Sequence, residues 1–227
     1  MSSRYTLFQL DQIIERFQIE NGLPVGLKKR YNIAPGQTAP VIVEHGRKQK
    51  LEMMKWGFVP LNAKDANSIF RYKTYNAKSE SIFDKATWKE AIRSRRCIVP
   101  TNGFYEWRTT PTGKQPFFIR PKDQGLFSFA GIYSSWQDID GVEWGTYSII
   151  TTTPNKEMQA IHDRMPVILH PNDEALWLDP SISDAGILYD FMRAYPNDML
   201  LLNEVSQEVN SVKIDNARLM TRLRTEK

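Results

Sequence analysis

The sequence predicts an α+β fold in a single domain, mainly an antiparallel β-sheet or open barrel with several flanking helices. Short runs of β-branched and aromatic residues, each bounded by turn residues, crowd the middle of the chain. Helical patterns are few and scattered, and no stretch has the composition of an interdomain linker. Strands concentrated around one sheet with helices beside it are typical of the α+β class. A chain of 227 residues is long enough to bury a sizeable core.

The first third of the chain predicts two helices and two strands. Apolar residues recur at helical spacing in 10–19 and again in 81–93. Runs at 40–44 and 51–56 are rich in strand-forming residues, and the turn signal His45-Gly46 separates them. This pattern predicts two strands joined by a tight turn.

The middle and last thirds of the chain predict further strands and helices. Five further runs predict strands, at 97–99, 103–108, 116–120, 126–133 and 146–151. The sequence Pro111-Thr-Gly113 between the second and third of these runs predicts a hairpin loop. Towards the C-terminus we expect a helix over 155–161, a strand over 165–169, and helices over 172–178 and 184–194.

Composition and charge restrict the classes of protein. The net charge is +4, with 30 basic and 26 acidic residues, which is compatible with a nucleic-acid partner. The apolar runs are too short to span a bilayer, the N-terminus lacks the pattern of a secretory signal, and the single Cys97 cannot form a disulfide within the chain. We therefore expect a cytoplasmic monomer with no membrane partner. The scattered histidines and cysteine show no metal-ligand spacing, so we expect neither a metal nor a cofactor.

Four short strings stand out, although the standard hydrolase, metalloprotease and nucleotide-binding signatures are absent. The strings are YNIAPG at 31–36 in a predicted loop, YNAKS at 75–79, NGFYEWR at 102–108 and IHDRMPVIL at 161–169. Each has a plain structural explanation. Asparagines satisfy turn backbones, a glutamate on a strand can face solvent, and a histidine can cap the helix before it.

In this order and approximate spacing, the strings resemble the SRAP (SOS response-associated peptidase) family from Arg4 to about Asn210, which leaves a short C-terminal tail of one SRAP domain spanning 1–227. Members of that family begin Met-Cys-Gly-Arg and carry YN-x-APG, NAR-like, G-F-aromatic-E-W and IHDRMPV strings. The chain matches at Arg4, Tyr31, Asn32, Ala34, Pro35, Gly36, Trp56, Gly57, Asn76, Ala77, Phe104, Glu106, Trp107 and His162 through Val167. It departs at Ser2, Ser3 and Lys78, where the family has Cys, Gly and Arg.

The resemblance implies covalent capture of abasic sites in single-stranded DNA. The open form of an abasic deoxyribose carries an aldehyde, which condenses with an unprotonated amine. An α-amino group has a pKa of about 7.7–8, so a useful fraction is unprotonated at neutral pH. Removal of Met1 would place this amine on residue 2, where a cysteine thiol can close a thiazolidine. Ser2 would restrict the adduct to a reversible imine, or to an oxazolidine that reopens and allows strand cleavage by β-elimination.

The resemblance also implies the catalytic set Ser2, Asn76, Glu106 and His162. Burial among aromatic residues would raise the pKa of Glu106 and suit the carboxyl to proton transfer at the sugar oxygen or the imine. His162 can move a proton near neutral pH. Asn76 offers a donor and an acceptor that orient the amine and the sugar without charge.

The DNA-binding set implied by the resemblance is Arg4, Lys78, Trp107 and Arg164. The arginines would hold the phosphates that flank the lesion, and Lys78 would do so as a point charge. Trp107 would stack on a neighbouring base, although a place in the core explains a tryptophan equally well. In this interpretation the protein becomes nucleoid-associated when it binds DNA.

Two other functions fit the sequence. One is a single-stranded DNA-binding module that recognises abasic sites or junctions without reacting. The other is a hydrolase with an N-terminal nucleophile that processes its own N-terminus, as the family name suggests. Ser2 itself has three explanations: an engineered inactivation, a natural relative that relies on the imine alone, or an altered N-terminus. Ser3 bears on the same point, because its Cβ can hinder a backbone or a DNA approach that the family glycine permits.

Overall fold

The structure is a computed structural model that describes residues 3–61, 63, 73–123, 125–137 and 140–223. The strands in this part of the chain are β1 Arg4–Leu7, β2 Arg30–Ile33, β3 Thr38–His45, β4 Lys48–Trp56, β5 Asn76–Lys78, β6 Arg96–Thr101, β7 Gly103–Thr110, β8 Gly113–Pro121, β9 Phe127–Gln137, β10 Glu143–Thr152, β11 Met165–Pro166 and β12 Leu200–Glu204. The helices are α1 Ile13–Arg16, α2 Lys89–Ser94, α3 Lys156–Gln159, α4 Glu174–Leu178 and α5 Ala185–Phe191. Short 3₁₀ turns precede or follow several of them. The predicted α+β class is confirmed.

Five strands close into a barrel in the order β10-β4-β3-β6-β9, because β9 pairs in turn with β10. Closure leaves these strands without the exposed edges of an open sheet. Most pairings are antiparallel, as expected, but β10 runs parallel to β4 and to β5. The sheet is therefore mainly antiparallel, as the sequence predicts. The barrel is closed rather than open.

A second sheet follows the order β12-β8-β7-β1-β2, and all of its pairings are antiparallel. The β7–β8 hairpin turns at the predicted loop, with Thr110 paired to Gly113. Gly113 has a φ of +135°, a conformation that L side chains rarely adopt. This hairpin carries the NGFYEWR string on its first strand.

The main hydrophobic core lies where the barrel meets the second sheet. Tyr5 of β1 and Tyr147 of β10 share a hydrogen bond of 2.7 Å between their hydroxyls, and both side chains are buried. Trp56 packs edge-on against Tyr5 and stacks on Tyr147. A smaller cluster on the other face of the second sheet joins Tyr105 and Phe118 to three residues of the C-terminal segment, Val205, Val209 and Leu219.

The predicted helices are shorter in the structure. The 10–19 helix is a 3₁₀ turn followed by α1, and it stops before Gln18, whose φ is +51°. The prediction for 81–93 is wrong over 82–88, where the chain forms turns that place Trp88 edge-on against Phe58. Nothing in the described part of the chain is a helix both long and apolar enough to cross a membrane.

Four strands were not predicted: β1, β2, β5 and β12. Each has five residues or fewer, and each is defined by its partner rather than by a local pattern. The predicted loop at 31–36 therefore begins as a strand, since Ile33 pairs with Tyr5 of β1.

Candidate functional site

A pocket of about 340 Å³ opens beside the start of β1 and the middle of β7. Elements distant in sequence supply its walls: β1, β7, the β7–β8 hairpin, the segment after α3 and the C-terminal segment. The described residues that line it are Ser3, Arg4, Glu106, Trp107, Lys114, His162 and Asn210. Four of these, Arg4, Glu106, Trp107 and His162, belong to the sets predicted from the sequence.

Glu106 is a carboxyl on the buried face of β7. Side chains alternate along a strand, so Glu106 faces the same side as Phe104, which packs in the main core. The residue is 1% exposed. Burial raises the pKa of Glu106 to about 7, because a carboxylate loses its hydration in this position. The side chain can therefore both donate and accept a proton at neutral pH.

His162 follows α3 and faces Glu106. The backbone N–H of His162 donates to the carbonyl of Met158 at 2.8 Å, which fixes the residue at the end of the helix. Its Nε2 lies 3.8 Å from Glu106 Oε1. Burial lowers the pKa of the ring, and the cations of Lys114 and Arg164 lower it further. The ring is therefore mostly neutral at neutral pH.

The contacts of Nδ1 decide which nitrogen of His162 carries the proton. Nδ1 accepts from the backbone N–H of Arg164 at 3.0 Å, so the neutral ring carries its proton on Nε2, towards Glu106. The carboxylate of Asp163 also lies 2.7 Å from Nδ1, but this side chain is 86% exposed. It can pair with Nδ1 only when that nitrogen is protonated. A carboxyl with a pKa of about 7 and an uncharged imidazole thus face one pocket.

The start of the chain reaches this pocket through β1. Arg4 pairs with Tyr105 of β7, so Ser3 lines the same pocket as Glu106. The Arg4 guanidinium is half-buried and donates to the Ser3 carbonyl at 2.8 Å. Burial lowers the pKa of Arg4. Ser2, the predicted nucleophile, lies outside the described residues.

Trp107 is held by a residue that the sequence analysis did not select. Its indole Nε1–H donates to Asn210 Oδ1 at 2.8 Å, and its ring packs partly against the smaller hydrophobic cluster. Lys114 of the hairpin is exposed and also lines the pocket. Neither Asn210 nor Lys114 lies in a recognisable motif, and the positive charge of Lys114 was the one available signal.

The pocket continues past His162 into a wider groove of about 660 Å³. Trp107, Lys114 and His162 line both spaces. Arg108 and Asp163 line the wider groove. A chain longer than a single sugar therefore has room on this side of the pocket.

Three residues of the predicted sets, Arg164, Lys78 and Asn76, lie on or near β5 and are not among the described residues that line the pocket or the groove. The Arg164 guanidinium forms two hydrogen bonds with the carboxylate of Glu80, at 2.6 and 2.9 Å, and a third with the Thr151 carbonyl at 2.6 Å. Lys78 is exposed on β5 and pairs with Thr151, and Asn76 is buried at the start of the strand. The phosphate-binding roles of Arg164 and Lys78 and the catalytic role of Asn76 stay predictions.

The YNIAPG string builds the scaffold and not the pocket wall. Asn32 is buried, and its Nδ2 donates to the carbonyls of Val209, Ser211 and Ile214 at 3.2, 3.0 and 2.9 Å. The neighbouring Arg30 pairs with Asp215. The string therefore fastens the C-terminal segment to β2, in line with the structural explanation of its asparagine.

No group of three or more histidine, cysteine, aspartate or glutamate side chains that could hold a metal ion occurs among the residues that the structure describes.

Comparison with known proteins identifies the family. The sequence profile of the SOS response associated peptidase (SRAP) family matches residues 1–212. This chain belongs to the SRAP family. It is 40% identical over 223 residues to the abasic site processing protein YoqW of Bacillus subtilis, which covers 97% of this chain and 99% of that protein. The abasic site processing protein HMCES of Gallus gallus is 32% identical over 216 residues, 82% of this chain and 63% of that protein.

A solved structure has the same fold as this chain. The crystal structure of a protein from Bacteroides thetaiotaomicron is similar to this chain with a TM-score of 0.85 and 27% identity, over 99% of this chain and 98% of that one. The resemblance found from the four strings is therefore confirmed at the level of family and fold.

Proposed function

We propose that this SRAP protein processes abasic sites in single-stranded DNA by forming an imine between the lesion aldehyde and the α-amine of residue 2, after removal of Met1. The names of its relatives support abasic-site processing. Ser3 lines the same pocket as Glu106 and His162. The proposal requires the amine of the preceding residue to reach these two groups.

The observation that carries the proposal is the facing pair of Glu106 and His162. A carboxyl with a pKa of about 7 stands 3.8 Å from a histidine nitrogen in a pocket that opens to the surface. Positioned acid–base groups work best when their pKa lies near the working pH. A buried carboxyl with no such task would be a costly side chain on the core face of a strand.

Glu106 and His162 move the protons of ring opening and imine formation in this proposal. The closed sugar opens when its C1′ hydroxyl loses a proton and its ring oxygen gains one, and neutral Glu106 supplies the second proton. The first proton enters the ring of His162 at Nδ1, beside the Asp163 carboxylate, as Nε2–H passes its proton to the Glu106 carboxylate, so that Glu106 is neutral again. The unprotonated amine then adds to the aldehyde carbon, and one of its protons moves to the carbonyl oxygen. Neutral Glu106 protonates the resulting hydroxyl, which leaves as water, and the Glu106 carboxylate then takes the remaining proton from the iminium nitrogen. The products are the imine and one water molecule, so no oxidant or reductant is needed.

Ser2 decides the fate of this imine. Its hydroxyl ionises far above neutral pH and forms at most an oxazolidine, which reopens. The adduct is therefore reversible, and β-elimination of the strand competes with its hydrolysis. In this proposal the thiol of the family cysteine supplies stability of the adduct, and the amine alone supplies capture.

The DNA strand is proposed to lie along the pocket and the groove beside it. Arg4, Lys78 and Arg164 would contact its phosphates, and Trp107 would stack on a base next to the lesion. Arg164 reaches a phosphate by sharing its guanidinium with Glu80 or by exchanging that carboxylate for the phosphate. The proposal takes the protein as a monomer.

Borohydride trapping tests the proposal. The protein is mixed with an oligonucleotide that carries one abasic site, with and without borohydride, and the products are separated on a denaturing gel. We expect a reductant-dependent adduct whose mass equals that of protein from residue 2 plus DNA. Glu106→Gln should slow adduct formation with little change in binding. Absence of an adduct with single-stranded abasic DNA would overturn the proposal.

A binding module without chemistry is the second candidate, and Ser2 in place of the family cysteine favours it. In that case the protein binds abasic DNA with unchanged affinity in the presence of borohydride and gives no adduct. An intact-mass measurement of the N-terminus addresses the third function, self-processing, because it shows whether Met1 or a longer segment has been removed.

A further inference from the structure

We propose that Asn210 is a positioning residue that acts through the indole of Trp107 to fix one wall of the pocket. The inference rests on the proposed function and deepens it, since it concerns how the same pocket holds the lesion strand. Asn210 lies outside the family strings, and its side chain carries no charge. It is exposed and lines the pocket, and its amide forms hydrogen bonds with Trp107 and Gln207.

Hydrogen bonds link two walls of the pocket in a chain. The Trp107 indole N–H donates to Asn210 Oδ1 at 2.8 Å, and Asn210 Nδ2 donates to Gln207 Oε1 at 2.7 Å. Gln207 Nε2 in turn donates to the backbone carbonyl of Lys114 at 2.7 Å. Each amide uses one donor and one acceptor in a consistent orientation, so the chain runs from the tryptophan ring to the hairpin backbone.

The backbone that carries Asn210 is held on both sides. Val209 is fully buried in the smaller hydrophobic cluster, and Asn32 bonds to the carbonyls of Val209 and Ser211. Ser206 caps the N-terminus of the 3₁₀ turn Gln207–Asn210, and its side chain accepts a hydrogen bond from the Glu208 N–H. A side chain on so fixed a backbone can hold a partly exposed tryptophan ring in one plane.

The arrangement gives the C-terminal segment a function at the site. Base–aromatic stacking depends on the plane of the ring, and an indole tied at Nε1 presents one plane to the strand. A ring released from Asn210 would sample other rotamers and lose part of its contact with the base. Asn32 of the YNIAPG string then serves the site indirectly, because it anchors the turn that carries Asn210.

A double-mutant cycle tests the proposal. Affinity is measured for an oligonucleotide with a tetrahydrofuran abasic analogue, which cannot open to an aldehyde, and reaction is measured by borohydride trapping on true abasic DNA. Asn210→Ala should weaken binding by about 2- to 10-fold, the range of a single neutral hydrogen bond. Trp107→Phe keeps an aromatic ring without the N–H, and in that background Asn210→Ala should cause no further loss.

Two controls separate positioning from stability. Asn216 caps the next 3₁₀ turn of the same segment, where its side chain accepts from the Arg218 N–H, and Asn216→Ala should leave DNA binding unchanged. The indole N–H signal of Trp107, identified by its absence in Trp107→Phe, should shift and exchange faster with solvent in Asn210→Ala, although the other indole signals stay in place.

The outcomes are distinct. A wild-type protein that gives no borohydride adduct overturns the proposed function. A wild-type protein that gives the adduct, with Asn210→Ala and Trp107→Phe losses that multiply in the double variant, overturns only the positioning role. An Asn216→Ala variant as impaired as Asn210→Ala would show that general loosening of the segment is responsible, and would also overturn it.

Discussion

Replacing Glu106 with glutamine should make the folded protein more stable at alkaline pH, although it removes a group of the site. Burial raises the pKa of Glu106 from its ordinary 4.5 to about 7. Each tenfold change in a dissociation constant corresponds to about 1.4 kcal/mol, so ionising this carboxyl in the folded state costs about 3 kcal/mol. Because the residue is almost wholly buried, solvent does little to screen that cost.

The sign follows from proton linkage. The folded protein holds the Glu106 proton more tightly than the unfolded chain does, so the contribution to stability is fully present below about pH 4.5. It is lost as the pH rises through about 7. Glutamine does not titrate, and the stability of Glu106→Gln relative to wild type should therefore rise by about 3 kcal/mol between pH 4.5 and pH 8.

Denaturant unfolding of both proteins at a series of pH values measures this difference. Glu143→Gln, which removes an exposed carboxylate at the start of β10, serves as the control and should show no such trend. A difference between Glu106→Gln and wild type that is constant with pH would refute the reasoning. So would a wild type that gains stability relative to the variant as the pH rises.

Three further predictions concern reaction and binding. His162→Ala should slow borohydride-trapped adduct formation by about 100- to 10,000-fold while binding of the tetrahydrofuran oligonucleotide changes little; equal losses in both would indicate a structural role. Arg164→Ala and Lys78→Ala should each lower the slope of log affinity against log salt by about one, and Lys48→Ala on the β3–β4 hairpin should not. The trapping rate should rise with pH as the α-amine loses its proton, and it should fall at higher pH as Glu106 loses its proton. Glu106→Gln should abolish this fall.

Local patterns were enough to predict most of the barrel and the β7–β8 hairpin. The runs at 40–44 and 97–99 lie within β3 and β6, because alternating or continuous β-branched residues are a local property of the chain. The parallel pairing of β10 with β4 and β5 could not be read this way. It depends on how distant segments cross, and the three residues of β5 carry no strand pattern of their own.

Some residues of the site could be predicted from the sequence, and others could not. The buried Glu106 and the facing His162 were reached through strings whose order resembles a family, and the structure brings the two together. Lys114 and Asn210 were missed because their places depend on the hairpin and on the anchoring of the C-terminal segment by Asn32. Arg164 was selected, but its bidentate partner Glu80 could not be foreseen, since they are 84 residues apart.

The central claim, that the amine captures the lesion and the thiol stabilises the adduct, is tested most directly by comparing wild-type protein with Ser2→Cys, alone and combined with Ser3→Gly, on abasic single-stranded DNA. The account predicts that the wild-type adduct survives a denaturing gel only after borohydride reduction, and that Ser2→Cys, with Ser3→Gly if its Cβ hinders closure, gives an adduct that survives without reductant. A heat-stable wild-type adduct formed without borohydride would contradict the role of the thiol. Failure of all three proteins to form any adduct would contradict the whole account.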